Sequence, residues 1–477
     1  MSRKYGKLEH TYIYISCQLS ISCHPRRNQK VTEPFDLRNR QLPSTARLLQ
    51  IHAPAKTTFT DLLLPNYTPR RLVEIIMDPN KHHAQVHEIK SQVPAECAKI
   101  IAGRTFQGQG HDIKNSLGPY AARACPNQRL VKAFGIENSF IVTEKKASED
   151  FRELVEQKIQ VNAPEWIDFA AVARSIAEEQ VSGEGESRNL FEVVQMLSIK
   201  MVRKVIWGVG EEAEGVDDQL RVVAKEVNKQ WLKSKKYDDA FLEAGDGVEL
   251  PAALKQALME VFDWDGEDRT ANPLNFILPG YETIWRVVLR CFIELSARHH
   301  PNSSVWANAF KEFLNSPTPQ QLKHRMGVNG DQISALMVSK EILRLYPPTR
   351  RVYRRFEDEN GTAYSMAADI ESMQRDASIW EGDPLTFRPE RWIDISGEDE
   401  KWLPFGAKPF RCPAKQSFNV YIPFGVSMIA VLTGALLEAT ENRWEYFGQA
   451  LPDAGVPLDT DREAYQEAEL RKIKSQA

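Results

Sequence analysis

Apolar residues recur at helical spacing through residues 189–208, NLFEVVQMLSIKMVRKVIWG, and the run ends on Gly208. That spacing predicts an amphipathic helix with a glycine stop. Residues 218–236 predict a second, basic amphipathic helix. A third, over about 273–296 (NPLNFILPGYETIWRVVLRCFIELS), is apolar on nearly every side and is therefore expected to be buried. Pro279-Gly280 lies in its middle and weakens the backbone ladder there. A helix over about 331–346 is expected to stop at Pro347-Pro348. Beyond it, RVYRRFEDENGTAYSM reads as two short strands joined by a hairpin turn at Asn360-Gly361. The last strong helix is expected at 413–438, opening on Pro413, a favoured first helical residue. The tail after Asn442 is charged and expected to be exposed. Together these elements predict a mainly α fold with small β-sheets.

Near the start of the chain, the best approximation to a membrane span is Tyr12 to Cys23, YIYISCQLSISC. It is far short of the ~20 apolar residues a span needs, Ser and Gln interrupt it, and it lacks a small-residue cleavage site. The expectation is a polar N-terminal leader over 1–45 without a clear membrane anchor, followed by one domain over 46–477. On this reading the protein is soluble or peripheral as given, or belongs at the endoplasmic reticulum if an N-terminal anchor has been lost.

Composition narrows the function classes. The chain has 477 residues, 42% of them apolar, which is enough for one large core or for several. No internal repeat or Gly/Ser linker divides it. Its 61 basic and 65 acidic residues leave a net charge of −4, so nucleic acid is not the main partner. Six scattered cysteines without a CxxC pair argue against a disulfide framework and a structural zinc site.

Three places carry candidate chemistry. Cys412 lies in WLPFGAKPFRCPAKQSF, just before the expected last helix, where a helix N-terminus would favour a metal-ligating thiolate. Phe405, seven residues earlier, can cover the sulfur. A lone cysteine is equally at home as an inert packing residue. Glu341 and Arg344, in E-I-L-R, share a helix face, and Arg391 in FRPERW is a candidate third member. The pair alone is an ordinary surface bridge; a buried trio has to be complete. In the PGYET segment, Gly280 admits close approach to the helix, and Glu282 and Thr283 offer a carboxylate and a hydroxyl for proton transfer. The alternative there is a boundary between two shorter helices.

The order PGYET, EILR, FRPERW, FGAKPFRC resembles that of the cytochromes P450, clearly from about Leu274 to Leu437, in a style similar to the filamentous-fungal members. The resemblance implies the P450-type fold, haem b as cofactor and Cys412 as the axial ligand to its iron. It implies that Glu341, Arg344 and Arg391 form a structural cluster behind the haem, and that Gly280, Glu282 and Thr283 line the oxygen side. The implied activity is insertion of one atom of O₂ into an apolar organic substrate, a fungal secondary metabolite or a xenobiotic. Electrons would come from NADPH through a flavoprotein reductase; the basic residues Lys401, Lys408, Arg411 and Lys415 near the cysteine are either the surface that receives it or simply a solvated charged loop. The alternatives are a degenerate haem-binding member without that activity and an O₂-independent isomerase.

The chain departs from the family pattern. Lys408 replaces a usual Gly four residues before the cysteine, Phe410 replaces a usual basic residue, and Ala414 replaces a Gly. Ser148 stands where the Trp of a Trp-x-x-x-Arg signature would precede Arg152. The haem propionates therefore fall to Arg351, Arg354, Arg411 or Arg152, each of which could equally be plain surface charge. Expected substrate contacts are Phe276–Leu278, Val352, Tyr353 and the poorly matched stretches 105–140 and 205–245.

Overall fold

The computed structural model describes residues 87–474 apart from 184, 210–214, 238–241, 243–246, 249, 328–331, 396–397 and 416–421. The expected leader and the Tyr12–Cys23 stretch lie outside the described residues, as does 46–86 of the expected domain.

Helices dominate. In chain order they are α1 (Pro94–Ala102), α2 (Pro119–Ala124), α3 (Gln128–Phe134), α4 (Lys145–Lys158), α5 (Ala163–Val181), α6 (Leu190–Trp207), α7 (Val216–Ser234), α8 (Ala252–Phe262), α9 (Leu274–Ser296), α10 (Ser303–Asn315), α11 (Pro319–Lys323), α12 (Ala335–Leu345), α13 (Ile370–Gln374), α14 (Glu398–Lys401) and α15 (Phe424–Thr440). The caps explain several boundaries. Asn162 opens α5 in a capping box: its side chain accepts from the Glu165 N–H at 3.0 Å, and the Glu165 carboxylate accepts from the Asn162 N–H at 2.7 Å. Asn189 caps α6, and Gly208 ends it at φ 72°, a backbone region that glycine enters without strain.

Helix α9 runs unbroken through Pro279. A proline cannot donate to the carbonyl four residues back, which here is Asn275 O. The Asn138 side chain donates to that oxygen instead, at 3.1 Å. The interruption is thus repaired from outside, and the expected weakness becomes a fixed contact between α9 and the 135–142 segment.

Three small sheets flank the helices. Strand β1 (His87–Ser91) pairs parallel with β6 (Ala363–Asp369), with Ile89 opposite Met366; β5 (Arg351–Glu357) pairs antiparallel with β6, with Arg354 opposite Met366. The hairpin of β5 and β6 turns at the expected Asn360-Gly361, where Gly361 has φ 78°. Strands β2 (Thr105–Gly108) and β3 (His111–Lys114) form a second hairpin, and β4 (Ser187–Asn189), β8 (Glu469–Lys472) and β7 (Trp444–Phe447) form the third sheet.

The larger core joins α5, α6, α7, α9, α10, α12 and α15. A smaller one forms under the β1-β6-β5 sheet around Ile101, Phe106, Phe356 and Met366, and it takes in Leu403 and Ala407. These last two belong to the segment before Cys412, so the small core anchors that segment.

The last helix starts later than the periodicity predicts. Pro413–Lys415 is a short 3₁₀ turn, and α15 begins at Phe424. Apolar spacing reported the helix body correctly, but Pro423 in NVYIPFG marks its true start, since the residue before a proline is biased away from helix.

Candidate functional site

The segment 402–412 folds back on itself. Gly406, at φ 69°, donates its N–H to Leu403 O at 2.9 Å, and the Cys412 N–H donates to Phe405 O at 2.8 Å, which closes the loop. Phe405 packs edge-on to Trp402, with ring centres 5.7 Å apart, and against Gly425 at the start of α15. A Cβ on Gly425 would lie 2.8 Å from the Phe405 ring, so only glycine fits there. The ring therefore ties the loop to α15.

Cys412 itself is exposed, although protein atoms fill most of the volume around it. A side chain on the wall of a recess has this combination. The surrounding protein pushes its thiol above the usual range, while the Ala414 N–H and the charge of Arg152 pull the other way. The expected helix N-terminus does not supply that stabilisation, because α15 begins only at Phe424. The local favourable groups are one backbone N–H and one guanidinium.

Behind this loop, Glu341, Arg344 and Arg391 come together as the order of motifs implied. The Glu341 carboxylate accepts from Arg344 Nη2, Arg391 Nε and the Arg388 N–H on one oxygen, at 2.8, 2.9 and 2.9 Å. Its other oxygen accepts from Arg344 Nε at 2.8 Å and Trp392 Nε1 at 3.1 Å. Burial alone would raise this carboxyl, but the charges and hydrogen bonds of the two arginines hold it below the usual range. The trio is buried, so the reading as a surface bridge fails.

The four propionate candidates separate. Arg351 is exposed and paired with Asp369 at 3.1 Å, so it is occupied elsewhere. Arg152 is half-buried and bridges to Glu156 at 2.8 Å. Arg411 has a buried Nε without a hydrogen-bond partner. Arg354 is buried and donates to the carbonyls of Ile101 and Tyr353 at 3.0 and 2.8 Å. Its guanidinium lies 5.3 Å from the Phe410 ring centre, and that of Arg123 lies 4.2 Å from the same ring.

Arg123 had no motif to announce it. It is buried, donates to Ser148 Oγ at 2.7 Å, and leaves its Nε unpartnered. The usable signal was Ser148, a small residue at the position where the resemblance calls for Trp. Burial, and for Arg354 also the repulsion of Arg123, lowers the two guanidinium pKa values to about 10 (Arg123) and about 9 (Arg354). Among the described residues neither has a carboxylate partner. Two buried cations of this kind call for an anionic counterpart. The residues here therefore fit a thiolate-bound macrocycle carrying carboxylates: Cys412 for the metal, Arg123 and Arg354 for the acids, and Arg411 beside the cysteine.

On α9, Pro279, Gly280, Thr283 and Ile284 are half-buried, whereas Leu274–Leu278, Tyr281, Glu282 and Trp285 are buried. The reachable positions recur at helical spacing and form one stripe. Thr283 Oγ1 donates to Pro279 O at 2.9 Å and Gly280 O at 3.0 Å. Glu282 is buried and bridges to Arg462, a residue that sequence reasoning missed; its other oxygen, Oε1, has no partner. A Cβ on Gly280 would sit 3.4 Å from Val202 of α6, so the glycine eases the packing of α9 on α6.

The basic group around the cysteine is less open than expected. Lys408 is exposed, but Lys401 lies 4.8 Å from the Trp380 ring centre and Lys415 lies 5.1 Å from that of Trp402.

Comparison with known proteins settles the fold. Residues 335–415, which hold EILR, FRPERW and the cysteine loop, match the family model described as Cytochrome P450. The structure superposes on a 6-coordinated cytochrome P450 from Thermus thermophilus with a TM-score of 0.50 and 14% identity, over 81% of this chain and 92% of that one. Over residues 335–415 the chain is similar to the cytochromes P450, and its fold is theirs.

Among curated proteins, it is 32% identical over 117 residues to methyltetrahydroprotoberberine 14-monooxygenase of Papaver somniferum, 22% of this chain and 21% of that protein. It is 36% identical over 116 residues to flavonoid-6-hydroxylase of Ocimum basilicum, 21% of this chain and 20% of that protein. The chain thus spans about a fifth of the length of these curated relatives. Both come from plants, so the filamentous-fungal style read from the motifs gains no support from them. No helix among the described residues is long and apolar enough to cross a membrane.

Proposed function

We propose that this protein is a cytochrome P450, a haem-thiolate monooxygenase that inserts one oxygen atom from O₂ into an organic small molecule, with electrons from NADPH through a flavoprotein reductase. The observation that carries the reading is Cys412, held on a closed loop and accompanied by the buried, carboxylate-free guanidinium pair Arg123 and Arg354. The group to be bound is haem b: Cys412 would ligate its iron, and Arg123, Arg354 and Arg411 would neutralise its propionates. When bound, such a haem supplies the activation of O₂, and the thiolate pushes electron density toward it.

The chain's own residues orient and deliver. The proton of the Thr283 hydroxyl is committed to the helix carbonyls, so Oγ1 offers its lone pairs to a water or a substrate hydroxyl. Glu282 Oε1, buried and unpartnered, is the neighbouring atom that can hold a proton and pass it on. Arg462 keeps the other oxygen of that carboxylate in place. The half-buried stripe of Pro279, Gly280, Thr283 and Ile284 is the face of α9 that meets substrate.

The relatives' names record oxygen insertion into small plant molecules, a monooxygenase on a protoberberine and a hydroxylase on a flavonoid. They support the reaction class and leave the substrate to be found, whether a secondary metabolite or a xenobiotic. Lys408 in the cysteine loop favours a second reading, a haem-binding member without this activity. The test is haem content together with substrate-dependent NADPH consumption: haem and consumption support the proposal, and haem without consumption by any turned-over substrate supports the second reading.

A further inference from the structure

Among the described residues, positive charge on the side of α9 that carries Glu282 outnumbers negative charge. Arg462, from the loop before β8, is buried and bridges to Glu282; it also donates to Asn228 Oδ1 at 3.3 Å. Its guanidinium lies 4.4 Å from the ring centre of Trp231 on α7. The guanidinium of Arg129, on α3, lies 4.9 Å from the same ring and donates to Ser234 Oγ. Arg286, one turn along α9, donates to the carbonyls of Glu282 and Pro348 at 2.9 and 2.6 Å. Lys235, just past the end of α7, feels the charges of Arg462, Arg129, Arg286 and Arg350.

The acids do not match these cations. Glu371 and Asp461 are taken up by Arg350, at 2.7 and 2.5 Å. Glu282 serves Arg462. Among the described residues, Arg129, Arg286 and Lys235 form no ion pair with a carboxylate, and the one acid that acts on Arg286, Glu282, is shared with Arg462. Burial and mutual repulsion lower the pKa of Arg129 to about 10 and that of Arg286 to about 9, and they push Lys235 below its usual value. Such crowding destabilises the empty protein, and an arriving anion relieves it.

The cluster is also graded in depth. Lys235 is exposed, Arg129 and Arg286 are half-buried, and Arg462 is buried against Glu282, the neighbour of Thr283. Charge arranged in this way leads an anionic group inward from the surface to the face of α9 that meets substrate.

We propose that the substrate is an amphiphilic acid, whose anionic group is captured by Lys235, Arg129 and Arg286 while its apolar body lies along the Thr283 face of α9. The proposal rests on the monooxygenase reading for the word substrate, but anion capture by these residues does not depend on it. It narrows the apolar organic substrate expected from the sequence to one that also carries an anionic group.

The test is calorimetric titration of the purified full-length protein with decanoate and with 1-decanol, with haem content measured on the same sample. Charge-assisted hydrogen bonds predict decanoate binding at least roughly tenfold tighter than the alcohol. Lys235→Gln and Arg129→Gln should each shrink that acid-to-alcohol ratio several-fold while leaving decanol binding unchanged. Lys235→Gln alters an exposed side chain, so it keeps the test alive if Arg129→Gln folds poorly. Equal binding of acid and alcohol, no binding of the acid, or an unchanged ratio in Lys235→Gln overturns the proposal. A sample without haem that keeps the ratio removes the monooxygenase reading and leaves anion capture standing.

Discussion

Replacing Glu341 by Gln should remove much of this protein's stability, and the size of the loss follows from its contacts. The carboxylate accepts five hydrogen bonds: three on one oxygen, from Arg344, Arg391 and the Arg388 N–H, and two on the other, from Arg344 and Trp392. Glutamine keeps one oxygen and turns the other into a donor. Whichever way the amide points, at least two donors then face a donor. Hydrogen bonds to charged groups contribute about 1.5–3 kcal/mol each, so the loss is roughly 3–6 kcal/mol. This agrees with the roughly 3–5 kcal/mol for stranding a buried charge. Against a total stability of about 5–15 kcal/mol, much of the chain would be lost to aggregation at growth temperature. The assay is urea unfolding followed by far-UV circular dichroism, with soluble yield in parallel. The pH dependence adds a second check. The carboxyl is held below its usual range, so its contribution is complete above that range and disappears as pH falls through the lowered value. Glu341→Gln should therefore flatten the acid limb of the stability profile below about pH 4. A Glu341→Gln protein within ~0.5 kcal/mol of wild type, the range of an ordinary surface change, would show that the trio does not carry the energy assigned to it.

Asn138→Ala should cost about 1–3 kcal/mol by leaving Asn275 O bare beside Pro279; thermal unfolding that is unchanged would mean the proline-containing helix needs no external donor. Arg123→Gln and Arg354→Gln should each lower haem retention on dialysis, measured as the ratio of Soret to protein absorbance, and wild-type retention in both would assign the propionates elsewhere. Thr283→Ala should bind substrate almost normally but form less product per NADPH consumed and more peroxide; unchanged coupling with a substrate that turns over would remove the water-positioning role of Oγ1.

The body of the fold was legible because its signals are local. Apolar periodicity located α6, α7, α9 and α12 to within a few residues, and Asn360-Gly361 located the β5–β6 turn. The start of α15 was misplaced because Pro413 looks like a helix opener, and nothing local reveals that Gly425 has to meet Phe405 before the helix can begin. The parallel pairing of β1 with β6 joins residues far apart in sequence and carries no short-range mark. The site divides in the same way. Cys412, Glu341, Arg344 and Arg391 sit in spaced motifs and could be named in advance. Arg123 and Arg462 act through burial and long-range partners, Ser148 and Glu282, which only packing brings together. Arg351 looked as suitable as Arg354 from its place after the two prolines. The alternation of β5 leaves Arg351 exposed and paired with the buried Asp369, and it buries Arg354.

The claim that Cys412 is the metal ligand is tested most directly by the spectrum of the dithionite-reduced, carbon monoxide-treated protein, recorded for wild type and for Cys412→Ser. A haem held by this thiolate gives the red-shifted Soret band in the wild type and loses it in the serine variant, even where haem is retained. A red-shifted band that persists in Cys412→Ser, or wild-type holoprotein that never shows it, would contradict the assignment.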